Sequence, residues 1–203
     1  MPLATAAVQP STDQRTAVIL DSVRQAFAEK DFDGASMQDL ARQSGMSVGN
    51  FYRYFPSKSA IVLALIGRDM EELSRDFEAI LGAPSPMVAL RQTIELHISD
   101  EHCSADGQLW AEITAASLRK PEIGEAARRM ENEITNNLTT VFARATNTAP
   151  EMAAAQWSAH ARLIVMLVKA CAMNRPDAPG RDELRQLVMQ TIDRTLNDIS
   201  QSA

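Results

Sequence analysis

Apolar positions recur at helical spacing along nearly the whole chain, with few alternating or β-branched runs. Ile19, Val23, Ala26 and Phe27 make a first stripe, predicting a helix from Ser11, where Ser-Thr-Asp-Gln14 has capping-box form, to about Lys30. Residues 1–10 are small and proline-containing with no periodic face, and read as a flexible arm. After Ser57 a long helix should carry Ile61, Leu65, Leu73, Phe77 and Leu81 and stop near Gly82-Ala-Pro84. Ser85 before Pro86 reads as a cap with proline at the first helical position, opening a helix over 86–99. Further helices are expected over 106–118 and 121–145, the latter with a stripe including Ile123, Met130, Ile134, Leu138 and Phe142. Thr148-Ala-Pro-Glu151 has the form of another capping box, and Pro176, Pro179 and Gly180 break the pattern before a last helix over 181–199. The expectation is an all-α chain.

The stretch Ser36–Lys58 predicts two short helices around a tight turn. Ser36 and Asp39 have capping-box spacing, and Leu40 and Ala41 supply an inner face. Gly45 suits the positive φ that ends the first helix, and Ser47 can cap the second. Phe51 and Phe55, four apart, point inward together, leaving Tyr52, Arg53 and Tyr54 to other faces. Pro56 biases Phe55 out of the helical region, and Ser57 can cap the long helix. This is the layout of a helix-turn-helix.

Charge sharpens the picture. From Leu40 to Arg68 there is no acidic residue, while Arg42, Arg53, Lys58 and Arg68 are basic, within a chain of formal net charge −6. A polyanion can dock there while the rest of the surface repels nonspecific contact. Cys103 and Cys171 are too few for a disulfide scaffold, no apolar run is long enough to span a membrane, and residues 1–9 lack signal-peptide form. A cytoplasmic protein without membrane partners is expected. His97, His102 and Cys103 do not share a helical face and no second ligand cluster follows, so neither metal nor cofactor is expected. No paired catalytic carboxylates, nucleophile–base pair or phosphate loop stands out, so the chain does not read as an enzyme.

Residues 15–65 resemble the DNA-binding domain of the TetR (tetracycline-repressor) family of bacterial transcriptional regulators. The likeness rests on Ile19-Leu20, Ala26-Phe-Ala-Glu-Lys30, Phe32, Ser36-Met37, Leu40-Ala41, Gly45-Met-Ser47 and above all Asn50-Phe-Tyr-Arg-Tyr-Phe-Pro-Ser-Lys58. It implies a DNA-binding head over 11–56, with a three-helix fold, and a helical effector-binding and dimerisation body over 57–203. Carried over residue by residue, Gln38 and Val48-Gly49-Asn50 would face base edges, while Ser36, Tyr52, Tyr54 and Lys58 would hold phosphates. Val48 stands where many members have a polar or basic residue, and offers only apolar contact. The resemblance also implies a small-molecule pocket among the helices of residues 86–174. Its candidate walls are Ile94, His97, Trp110, Ile113, Phe142 and Met166, with Met87, Leu90, Met130 and Trp157 as further choices. The acidic balance disfavours a strongly anionic effector.

Ala159–Met173 is apolar nearly all round, as expected of a helix covered on two sides. With the last helix it would form a four-helix interface with a second copy, drawing on Ile164, Val168, Leu184, Leu187, Val188 and Ile192. A monomer with a buried central helix is the alternative. The functional expectation is a dimeric regulator, a repressor of a palindromic operator released by a small molecule. A helical small-molecule-binding protein or enzyme with a non-reading helix-turn-helix, and a regulator controlled by a protein partner, stand as alternatives.

Overall fold

The computed structural model describes residues 12–30, 32, 34–174 and 177–202, with backbone alone for 12–13, 28–30 and 100–106. The expected arm over 1–10 and the capping box at Ser11 lie outside the described residues. Among the described residues every regular element is helical. In order they are α1 (Thr12–Lys30), α2 (Met37–Gln43), α3 (Val48–Tyr54), α4 (Lys58–Gly82), α5 (Pro86–His97), α6 (Asp100–Ser117), α7 (Pro121–Thr146), α8 (Pro150–Ala172) and α9 (Arg181–Gln201). They form two compact units, residues 1–61 and 62–203, and the division between them falls in the first turn of α4.

The first unit packs α1, α2 and α3 around Val23, Phe27, Phe32, Leu40, Phe51 and Phe55, all buried. The Phe27 and Phe32 rings lie 5.5 Å apart, those of Phe51 and Phe55 5.9 Å. The expected capping box is present: Ser36 Oγ accepts from Asp39 N at 3.1 Å, and Asp39 Oδ2 accepts from Ser36 N. Gly45 takes φ +64° between α2 and α3, a conformation in which a Cβ would strain the backbone.

In the second unit α7 and α8 form the central pair, with α5, α6 and α9 packed around them. Its core gathers Phe77, Leu90, Leu138, Phe142, Trp157 and Ile192, with Phe142 and Trp157 edge to face at 6.5 Å. Arg91 on α5 grips Asp193 on α9 with two hydrogen bonds, Nε at 2.7 Å and Nη2 at 3.1 Å. Asn147 closes α7 in the left-handed region at φ 54°, which a short polar side chain tolerates.

Two local expectations change. The helix expected from 106 begins at Asp100, with Ser99 as N-cap. The capping box at Thr148 does not form: Pro150 takes the first helical position, so Ala149 is the cap and Thr148 lies outside. Thr148 Oγ1 accepts instead from Thr146 Oγ1 at 2.9 Å. Ser85 does stand at the cap of α5, but its side chain makes no capping bond.

Candidate DNA-reading face and body cavity

Helix α3 owes its orientation to two anchors. Its N-cap, Ser47, accepts from Asn50 N at 3.4 Å, and its inner side is pinned by Phe51 and Phe55. What remains outward is a short surface: Val48, Gly49 and Arg53 exposed, Tyr52 46% exposed, Asn50 and Tyr54 half-buried. On α2, Ser36 and Gln38 are exposed, Ser36 being also the helix cap. Arg42 pairs with Asp39 at the surface. A Cβ built on Gly49 meets nothing within 4 Å, so no contact inside the chain demands glycine there.

Lys58 is placed differently from a free phosphate-seeking lysine. Its Nζ donates to Phe32 O at 2.8 Å and sits 5.0 Å from the centre of the Phe32 ring. It ties the start of α4 to the segment after α1 by a charge-assisted hydrogen bond and a cation–π contact. Removing it therefore mixes a folding effect with any effect on a polyanion.

The second unit holds a cavity of about 610 Å³, a size suited to a small organic molecule. Of the expected wall residues, Ile94, His97, Trp110 and Ile113 line it, as do Leu90 and Met130. Phe142 does not: it is fully buried in the core against Trp157. Met166 is 67% exposed on the outer face of α8. Both lie on apolar helical stripes, and helical spacing cannot tell an inner wall from a core or an outer face.

Apart from His97, the polar groups of the cavity lie outside the walls expected from the sequence. Asp69, 9% exposed, is the buried charged side chain among the described residues, and it stands on the cavity wall. The signal was there: Ile61, Leu65, Asp69, Leu73 and Phe77 follow at intervals of four, and a carboxylate interrupts the apolar stripe of α4. His97 Nδ1 donates to Thr93 O at 2.9 Å, which turns Nε2 toward Asp76 Oδ2 at 3.7 Å. Lys169 on α8 donates to Glu131 Oε1 on α7 at 2.6 Å. Arg128 donates to Glu125 at 2.6 Å, and this hydrogen bond, with the charge behind it, holds the Glu125 carboxyl below its ordinary range. No group of three or more His, Cys, Asp or Glu able to hold a metal occurs among the described residues; the side chains of His102 and Cys103 lie outside them.

The residues assigned to a subunit interface divide in two. Ile164, Val188 and Ile192 are buried within the chain, and Ile164 and Val168 line the cavity. Leu184 and Leu187 on α9 are exposed, as are Leu163 and Met166 on α8. The apolar face open to a partner is thus the outer one.

The first unit presents a short exposed helix after a glycine turn, the layout of a helix-turn-helix, and the second unit holds a cavity. The family model described as bacterial regulatory proteins, tetR family, matches residues 19–65. The HTH-type transcriptional regulator EthR of Mycolicibacterium smegmatis is 38% identical over 90 residues, 43% of this chain and 42% of the relative. The HTH-type transcriptional regulator UidR of Escherichia coli K12 is 32% identical over 120 residues, 58% of this chain and 59% of the relative. The chain thus matches 42% and 59% of the length of these curated relatives. The solved structure of Salmonella enterica GusR shares the fold at a TM-score of 0.74, with 24% identity over 93% of this chain and 98% of that one. Over residues 19–65 the chain is thus similar to the tetR family of bacterial regulatory proteins, and as a whole it shares the fold of the solved structure above. No described helix is long and apolar enough to cross a membrane.

Proposed function

We propose that this protein is a dimeric, cytoplasmic transcriptional repressor that binds a palindromic DNA operator and is released by a small molecule held in the body cavity. The observation that carries this reading is the outward surface of α3, apolar, amide and phenolic, on a helix pinned from behind by two buried phenylalanines. Val48, Gly49 and Asn50, with Gln38 on α2, are the base-reading group. Val48 suits a thymine methyl, and the two amides can pair with adenine. Tyr52 and Tyr54 offer hydroxyls to phosphate, which sets register without reading sequence. A two-fold dimer spaces two such helices for half-sites roughly 34–36 Å apart. Release requires that the ligand favour a body conformation in which that spacing is lost. α4 is the covalent route, since it follows the reading helix in sequence and carries cavity residues from Asp69 onward.

The test is selection of bound genomic fragments by the purified protein at about 0.15 M salt, which screens loose electrostatic binding. An inverted-repeat sequence is expected; recovery of random DNA by ligand-stripped protein would refute the reading.

Tyr52→Ala is expected to weaken binding to operator and unrelated DNA alike. It loses a half-exposed side chain, so thermal stability should hold. Measured against salt, the affinity should fall while a base-selection profile stays unchanged. A changed base profile would move Tyr52 into the reading group.

Gly49→Ala is expected to leave thermal stability unchanged or raise it by up to about 1 kcal/mol, because alanine is the better helix former and the added methyl meets no neighbour. Operator affinity should fall if the backbone approaches DNA closely there. Affinity equal to the parent would place Gly49 away from the DNA.

A further inference from the structure

The cavity of the second unit is walled mainly by apolar side chains, with Phe77, Leu90, Ile94, Ile113, Leu138 and Ile164 among its surfaces. The charged side chains that reach it are engaged with one another or with near neighbours. Lys169 donates to Glu131 at 2.6 Å, both of them on the wall. Arg128 donates to Glu125 at 2.6 Å, Arg68 meets Glu72 at 3.3 Å, and His97 lies 3.7 Å from Asp76. Asp69 is likewise engaged within the chain. Arg75 is exposed, where water screens it. A charged molecule entering such a site gives up its hydration, and to gain a buried counter-ion it must displace a partner already in place. The uncharged polar groups of the wall stand differently. Ser117 Oγ donates to Thr114 O at 2.7 Å, which leaves its lone pairs for a donor. Thr93 on α5 and Trp110 on α6 are half-buried and line the cavity. Their hydroxyl and indole N–H make no hydrogen bond among the described residues.

Resting on the effector reading of this cavity and deepening it, we infer that the effector is an uncharged, mainly apolar molecule bearing a hydroxyl or carbonyl group, with Thr93 and Trp110 as its hydrogen-bonding partners. The Thr93 hydroxyl both donates and accepts, and the Trp110 N–H donates, so an alcohol or a ketone is matched without any ion leaving its pair. The apolar walls bury the body of the ligand, which supplies most of its affinity, while the two polar groups orient it. An ammonium or a carboxylate of the same shape loses hydration that the cavity does not replace, and is selected against.

The experiment uses three probes of one shape and different charge: the neutral 1-naphthalenemethanol, 1-naphthylmethylamine, protonated at pH 7, and 1-naphthoate. Each is titrated calorimetrically into the purified full chain, without DNA. The alcohol should bind at least about tenfold more tightly than either charged probe. A charged probe that binds as tightly as the alcohol overturns the assigned class and leaves a ligand-binding body standing. Binding of none of the three overturns both. Thr93→Val, which keeps the shape and removes the hydroxyl, should weaken the alcohol about fivefold, the worth of one neutral hydrogen bond, and leave 1-methylnaphthalene unchanged. Thr93→Ser, which keeps the hydroxyl, should bind the alcohol nearly as the parent does. An alcohol affinity untouched by Thr93→Val, or an equal loss for both probes, overturns the role of Thr93. Should that variant not fold, the ranking of the three probes in the unaltered protein still decides the class.

Discussion

Replacing Gly107 by alanine is expected to lower the thermal unfolding midpoint by roughly 6–12 °C, as about 3 kcal/mol of overpacking does in a chain of this size. Gly107 lies inside α6, where alanine is intrinsically the better residue by up to about 1 kcal/mol. The tertiary structure reverses that preference. A Cβ on Gly107 would stand 1.8 Å from the carbonyl oxygen of Ala172 and 2.9 Å from its carbon. Both are backbone atoms at the end of α8, so no side chain can swing aside. Either α6 moves off α8 or the end of α8 unwinds. Gly67→Ala is the control: Gly67 is also interior to a helix, α4, but its added methyl meets nothing within 4 Å. That substitution should raise the midpoint slightly. Equal midpoints for the two variants, followed by circular dichroism, would show that α6 and α8 do not approach as described.

Leu187→Glu is expected to convert the proposed dimer to a monomer and lower operator affinity at least about 100-fold, because two linked half-site contacts become independent ones. Leu187 is 58% exposed within its own chain, so the charge costs the fold little. A second copy would bury that charge in an apolar interface, which is unfavourable without a partner. The contrast with Ile192, five residues further along α9 and fully buried, separates the two effects. Glutamate at 192 should unfold the body, whereas at 187 it should leave the melting curve in place and change only the sedimentation profile. A Leu187→Glu protein that still sediments as a dimer would place the interface elsewhere.

The head was legible residue by residue because its signals are local. The Ser36–Asp39 box, the positive φ at Gly45 and the inward pair Phe51–Phe55 each depend on residues within a turn or two. The contact of Lys58 with the Phe32 carbonyl was not legible, since that partner is distant in sequence and carries no side-chain signature. In the body, helical periodicity located the helices but not what each apolar stripe faces. Phe142 and Met130 occupy one stripe of α7, yet the first fills the core and the second lines the cavity. Ile164 and Met166 are two residues apart on α8 and point to opposite sides.

The amino-acid sequence by itself determined the all-α class, the position of the helix-turn-helix and the outward residues of α3, because helix caps, turn glycines and four-residue spacing act between near neighbours. Only the tertiary structure decided that Asp69 faces a cavity, that Lys169 and Arg128 are already engaged, and that the outer face of α8 and α9 is the one left uncovered. Those outcomes depend on how α4 to α9 pack together, and convergence of distant segments leaves no periodic trace in any one of them.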